Sequence, residues 1–228
     1  MSLHPYKIPI KEMISRYERL YTAAINDIFQ ERSLHDQWLG PDIKCRTKEL
    51  SETIVAGFAF TVQWVFNPQP AVEKQRAAKM VNSYPEGGMI VVDTGADRVS
   101  GFWGELATTV CMRNGVRGAV INGGAKDTGF VKKMGFPIFC RFTSPVDGFF
   151  RSHLLDWQKP IWFNSILIRP GDFIVGDSDG VLVIPQEIAE EVLVEAESRA
   201  ASESDTRKLL KEGVSAQEAS RRTGRNDL

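Results

Sequence analysis

The sequence predicts an α/β fold with parallel strands at its centre, and three observations carry that prediction. Between residues 87 and 142, apolar runs alternate as strand, helix, strand, helix, strand, the order that builds parallel pairs. On either side, "TIVAGFAFTVQWVF" (53–66) and "PIWFNSILIRPGDFIVGDSDGVLVIP" are rich in β-branched and aromatic residues. From Pro185 to about Gly213 the chain reads as a charged helix carrying Ile188, Val192 and Ala196.

Taken in order, residues 11–32 place Met13, Ile14, Tyr17, Leu20, Tyr21, Ile25 and Ile28 at near-helical spacing, which predicts one or two helices with a break near Thr22. In the β-rich run 53–66, Gly57 marks a bulge or a close backbone approach. "NPQP" ends that run as a turn, and "AVEKQRAAKMVNSYP" predicts a short helix. "GGMIVVDTG" (87–95) is an apolar strand. "GELATTVCMRNG" is a helix entered through Gly104, with Leu106, Val110 and Cys111 on one face and Gly115 as its left-handed stop. "VRGAVING" is a second strand, "DTGFVKKMG" a short helix with Asp127 at its N-cap and Gly135 at its end, and "FPIFCRF" a third strand. Breaks at Pro170-Gly171 and at Asp177 to Gly180 divide the later β-rich part, and "SAQE" (215–218) has capping-box spacing for a last short helix. With no repeat and no linker, residues 1–213 read as a single domain that includes the long C-terminal helix, followed by a short helical tail over 214–228.

Composition removes several function classes. A formal net charge of −1 gives no field for nucleic acid or an anionic membrane, and the tryptophans form no basic-aromatic stripe. No apolar run reaches the length of a membrane span and the N-terminus lacks the apolar run of a signal peptide, so the expectation is a cytoplasmic protein without membrane or nucleic-acid partners. Cys45, Cys111 and Cys140 are odd in number and widely spaced, as in a reduced core. His4, His35 and His153 form no zinc-ligand spacing. The chain lacks a GxGxG loop with an acidic ribose partner, which argues against methyltransferase and dinucleotide chemistry. It also lacks a GxSxG elbow. "GDSDG" (176–180) imitates the start of a calcium loop, but β-like flanks favour a strand-joining turn.

Two turns remain, each opening a helix beyond an apolar strand. At "WGELA" the first amides of a helix lack intrahelical partners and favour an anion. At "GGAKD", Gly123 and Gly124 remove side chains that would block a ligand. If the two strands are neighbours, Glu105, Lys126 and Asp127 surround one crevice at the carboxyl ends of the strands, where open α/β sheets bind ligands. Two carboxylates and water suit Mg²⁺ or Mn²⁺, and a helix N-terminus with a lysine suits a substrate carboxylate or a developing enolate. Taken singly, Asp127 reads as an N-cap, Glu105 as electrostatic capping and Lys126 as a solvated turn lysine. Asp93, Asp97, Arg141 and Thr143 lie near enough in sequence to approach the same crevice or to serve structure alone.

The run from "GGMIVVDTG" through "GELATTVCMRNGVRGAVINGGAKDTGFVKKMGFPIFCRFTSP", with "IRPGDFIVGDSDGVLVIP" and more loosely "TAAINDIF" and "AGFAFTV", resembles the RraA-like family. That family includes 4-hydroxy-4-methyl-2-oxoglutarate and 4-carboxy-4-hydroxy-2-oxoadipate aldolases and the regulators of RNase E activity. The resemblance covers roughly residues 20 to 205 and implies layered β-sheets with flanking helices, similar to a swivelling phosphohistidine domain. The aldolases share an acidic residue, twenty intervening residues, then Arg-Asp; here Glu105 and Asp127 match, and Lys126 stands in place of the arginine.

By that resemblance Asp127 serves a Mg²⁺ or Mn²⁺ ion, and Glu105 reaches the metal through water or transfers a proton. Lys126 contacts the substrate's keto or enolate oxygen, and the backbone of Gly104, Glu105, Leu106 and Ala107 receives the pyruvyl carboxylate. Glu203 of a neighbouring subunit matches a C-terminal glutamate that reaches the metal's water shell, though a solvent-facing glutamate is the simpler reading. The implied activity is metal-dependent cleavage of a 4-hydroxy-2-oxo acid to pyruvate, with oxaloacetate decarboxylation as a side reaction, in a homotrimer or homohexamer. Lysine keeps the charge of arginine but loses its planar fork. A non-catalytic regulatory binding protein, or a lyase for another hydroxy or sugar acid, therefore stays open. A Schiff base at Lys126 is disfavoured because Asp127 beside it raises its pKa.

Overall fold

Four parallel strands form the centre of the molecule, three of them predicted by the alternation of apolar runs over 87–142. The computed structural model describes residues 6–48, 54–67, 74–95 and 97–224. Strand β1 (Lys44–Cys45) is short, and β2 (Val55–Phe66) is long; β3 (Gly88–Asp93), β4 (Gly118–Ala125) and β5 (Ile138–Thr143) follow it. β2 to β5 lie side by side and run the same way, with β1 antiparallel at the far edge of β5. The helices between them are α3 (Lys74–Asn82), α4 (Glu105–Asn114) and α5 (Thr128–Met134). Of the expected "NPQP" turn only Asn67 falls within the described residues; Pro68 to Pro70 lie outside them, as does His4.

The later part is antiparallel. β6 (Ser152–Trp157) pairs with the second half of β2 across a register shift at Gln63/Trp64. β7 (Ile161–Phe163) and β8 (Ile166–Ile168) form a separate hairpin, and β9 (Phe173–Gly176) and β10 (Val181–Ile184) extend the main sheet beyond β2. "GDSDG" is the turn of the β9–β10 hairpin, as its flanks predict. Asp177 there is buried and accepts from the amides of Asp179 (2.9 Å) and Gly180 (3.3 Å). It also accepts from the Thr22 amide (2.7 Å) and hydroxyl (2.8 Å), which start a helix.

That helix, α2 (Thr22–Glu31), follows α1 (Ile10–Tyr17), so the break falls near Thr22 as expected. Both pack with α6 (Ala189–Lys211) over β9 and β10, burying Met13, Tyr17, Ile25, Phe29, Val192 and Ala196. α7 (Ala216–Thr223) closes the chain, and its N-cap Ser215 accepts from the Glu218 amide as the "SAQE" spacing predicts. Among the described residues no helix is long and apolar enough to cross a membrane.

A second core lies between the sheet and the helices α3 to α5, and a third fills the inner face of the curved sheet. In the third, Phe139, Met89, Val91 and Val120 meet the β7–β8 hairpin. The segment before β1 nearly closes the sheet: the Leu39 amide donates to Val181 O (3.0 Å) on β10, while Lys44 and Cys45 pair with β5. At Gly57 a side chain would strike the Gly87 carbonyl at 2.5 Å, which is the close approach the sequence suggests. The three cysteines are free, two of them buried.

Candidate active site

Three chain segments are laced together by backbone hydrogen bonds at the carboxyl end of β4. The Phe102 amide donates to Gly124 O (2.9 Å) and the Lys126 amide to Trp103 O (2.7 Å). On the other side of the same loop, Gly101 N donates to Val146 O (2.7 Å) and Gly148 N to Gly101 O (3.1 Å). This lacing brings the start of α4, the turn after β4 and the loop 146–148 around one crevice of about 250 Å³. Below it, Trp103 is fixed between Tyr84 and Phe136 in a stack of near-parallel rings, and its indole N–H donates to Thr108 Oγ1 (3.0 Å).

Asp127 sits at the N-cap position of α5, and its carbonyl accepts from Phe130 and Val131. Its side chain makes no cap hydrogen bond. The reason is local: φ is +55°, the left-handed region, instead of the extended conformation of an ordinary cap residue. The carboxylate is thereby turned across the crevice to the first amide of α4, accepting a long hydrogen bond from Glu105 N (3.4 Å). Gly104 is required by this approach, since a Cβ there would lie on Asp127 Oδ2.

Lys126 points into the same space, and its Nζ donates to Asp147 Oδ2 at 2.5 Å. The other oxygen of Asp147 accepts from the Phe149 amide (2.9 Å), so the acid is held by the chain it caps. The hydrogen bond to Asp147 is the largest influence on Lys126, with the charges of Asp147 and Asp127 adding to it. Together they outweigh partial burial and raise the lysine above its usual range. The amine is thus kept as an ammonium, which suits it to stabilise negative charge and not to act as a nucleophile.

Gly104, Leu106, Ala107, Lys126 and Asp127 line the crevice together. Glu105 does not line it. It begins α4 beside the opening, but its carboxylate is turned along the helix to accept from Thr109 Oγ1 (3.1 Å). Of the residues expected on one face of α4, Cys111 is buried but Leu106 is 78% exposed, and Thr108 is the other buried residue. Gly123 and Gly124 also differ from expectation. They lie inside β4, and side chains there would strike Thr94 and Phe142, so they serve chain packing instead of ligand access. Asp147 was missed altogether, and its signal was slight: an aspartate before "GFF" reads only as a turn cap.

None of the remaining candidates lines this crevice. Asp97 accepts from Val99 N (2.7 Å) and Ser100 N (2.5 Å), closing its own turn. Arg141 donates to Asn122 (2.7 Å), Asn164 (2.5 Å) and Asp42 (3.1 Å) at the inner face of the sheet. Asp93 accepts from Asn122 Nδ2 (3.1 Å) in that network, its pKa raised mainly by burial. Thr143 is exposed at the end of β5, and Glu203 lies on α6, which packs on α1 and α2.

Among the described residues no group of three or more His, Cys, Asp or Glu side chains is placed to hold a metal ion. Asp127, with one long hydrogen bond on its carboxylate, fits the open mode in which one carboxylate, water and ligand share a hard divalent cation.

A family model described as RraA-like, Aldolase/RraA, matches residues 22–183. "Putative 4-hydroxy-4-methyl-2-oxoglutarate aldolase" of Halalkalibacterium halodurans is 33% identical over 206 residues, 90% of this chain and 91% of that protein. Protein DlpA of Legionella pneumophila is 31% identical over 147 residues, which are 64% of this chain but only 24% of DlpA. A solved structure described as a novel cellulase from gut-associated microbes superposes with a TM-score of 0.83 at 35% identity, covering 90% of each chain. Streptomyces coelicolor RraAS2, an unusual member of the RNase ES inhibitor RraA family, shares the fold at a TM-score of 0.76 and 24% identity, over 88% of this chain and 99% of that one.

Proposed function

The chain belongs to the RraA-like family, and from that premise we propose that it is a carbon–carbon lyase, a divalent-metal-dependent aldolase that cleaves a 4-hydroxy-2-oxo acid and releases pyruvate. One observation carries the reading: the Asp127 carboxylate, freed from its own helix, and the Lys126 ammonium converge beside Gly104 at the start of α4. When bound, Mg²⁺ or Mn²⁺ supplies Lewis-acid polarisation of the 2-oxo group, and Asp127 is the residue that would hold it. The amides of Gly104 to Ala107 receive the substrate carboxylate at the positive end of α4. In the cleavage the C4 hydroxyl loses its proton to water, the C3–C4 bond breaks, and its electron pair becomes the enolate of pyruvate. Lys126 donates a hydrogen bond to the enolate oxygen. Protonation at C3 completes the reaction; we assign that proton transfer to Glu105 through water, which requires its side chain to leave Thr109. Oxaloacetate would be decarboxylated by the same enolate stabilisation, with CO₂ as the leaving fragment.

The test is pyruvate release from 4-hydroxy-4-methyl-2-oxoglutarate, oxaloacetate and simpler 4-hydroxy-2-oxo acids, with Mg²⁺, Mn²⁺ or EDTA. The expected outcome is release that needs metal and disappears in Asp127→Ala; a fully active Asp127→Ala sinks the assignment. The orientation of Glu105 toward Thr109 favours a second reading, a non-catalytic regulatory protein on the same scaffold. It predicts no metal-dependent release from any of these acids and a protein partner recovered by pull-down. We also propose a homotrimer or homohexamer in which Glu203 from a neighbouring subunit approaches the crevice. Light scattering after size-exclusion chromatography tests it, and a monomer would remove that role for Glu203.

A further inference from the structure

We infer that the crevice takes a 2-oxo acid with a single carboxylate and an uncharged, apolar substituent at its far end, and that Asp147 and Trp64 set this preference. The inference rests on the proposed 2-oxo acid site and narrows its substrate class.

The walls of the crevice away from α4 are aromatic. Trp64, Phe102 and Phe149 meet there, with ring centroids 6.1 Å apart for Trp64–Phe102 and 6.0 Å for Trp64–Phe149. Gly148 has no side chain because the Phe102 ring stands where a Cβ would be. Such a wall offers dispersion and apolar area to a hydrocarbon group and no positive charge to a carboxylate.

Charge points the same way. Among the described residues lining the crevice, Lys126 is the single cation, facing two acids, Asp127 and Asp147. Its ammonium is already paired with Asp147 at 2.5 Å. Asp147 cannot swing aside cheaply, because its second oxygen holds the Phe149 amide and the next residue is tied to Gly101. Lysine has three donors, so one pairing leaves capacity for the enolate oxygen of the substrate. A second substrate carboxylate at the aromatic wall would instead meet Asp147, which already takes up Lys126, while the cation that Asp127 would hold is engaged by the 2-oxo end; that like-charge arrangement costs affinity. A volume of about 250 Å³ lies just below the usual range for small-molecule pockets, about 300–1,000 Å³, which suits a short tail.

The experiment is calorimetric binding of two 2-oxo acids that lack the C4 hydroxyl and so are not cleaved: 4-methyl-2-oxopentanoate, with a hydrocarbon tail, and 2-oxoglutarate, with a charged one. Each is titrated into the intact protein with and without Mg²⁺. We expect the hydrocarbon tail to bind at least about tenfold more tightly. Asp147→Asn should narrow that ratio to within about threefold. Trp64→Ala should weaken the hydrocarbon ligand and leave 2-oxoglutarate nearly unchanged. Equal or tighter binding of 2-oxoglutarate by the unaltered protein overturns the inference while leaving a 2-oxo acid site standing. Binding of neither acid removes both. An Asp147→Asn protein that loses affinity for both ligands equally shows a structural role only, and the assignment of Asp147 fails; the unaltered ratio stands whether or not a variant folds.

Discussion

At position 127 a single torsion separates a cap residue from a site residue. An extended aspartate would bond the amides of α5, whereas at φ +55° it reaches the start of α4. The approach leaves no room on Gly104, so Gly104→Ala should cut turnover by about 10²-fold through displacement of the carboxylate, with little change in melting temperature. Lys126→Arg should keep activity, since the charge remains, while Lys126→Met should lose about 10²–10³-fold; steady-state kinetics with metal present separates them. Strand-to-helix punctuation placed Glu105, Lys126 and Asp127 at two turns, and the family resemblance joined them into one set. The sequence could not place Asp147, because the partner of a lysine across 21 positions depends on how two loops are laced. Nor could it foresee that Glu105 turns to Thr109, since a side chain one turn away on its own helix competes without leaving a trace in spacing.

At the scale of elements, buried hydrogen bonds at helix starts do work that periodicity does not reveal. Asp177 joins the β9–β10 turn to the start of α2, so Asp177→Ala should cost about 3 kcal/mol in urea unfolding, leaving buried donors unpaired. Ser215→Ala, which removes only the exposed cap of α7, should cost about 1 kcal/mol or less. Elements were legible wherever strong punctuation bounded them: Gly115 and Gly135 both take positive φ at helix ends, and Pro170-Gly171 separates β8 from β9. The face of α4 was not. Leu106 looked like a core residue by type, but α4 buries Thr108, whose hydroxyl satisfies Trp103 and Gly104 within the core. A hydroxyl with two buried partners reads as polar in sequence and as core in space.

For the whole molecule, the α/β character followed from the alternation of strand and helix, but the near-closure of the sheet did not, because β1 has only two residues and no pattern of its own. α1 is tied to α6 across the molecule by Arg16, which pairs with Glu197 at 2.6 Å. That hydrogen bond, the largest influence, lowers the Glu197 pKa in the folded state. Its contribution is therefore fully present above the unfolded glutamate value, about 4.3, and is lost as pH falls through the lower folded value. Arg16→Ala should flatten the acid limb of stability between neutral pH and pH of about 3, measured by urea unfolding. The sheet's closure also sets an order of events during synthesis. Leu39 and Lys44 leave the ribosome early, yet their partners Val181 and Cys140 are made much later. A nascent chain halted before residue 181 would hold an unsealed sheet whose inner apolar lining stays accessible, so the window for chaperone capture should close only when the last hairpin emerges.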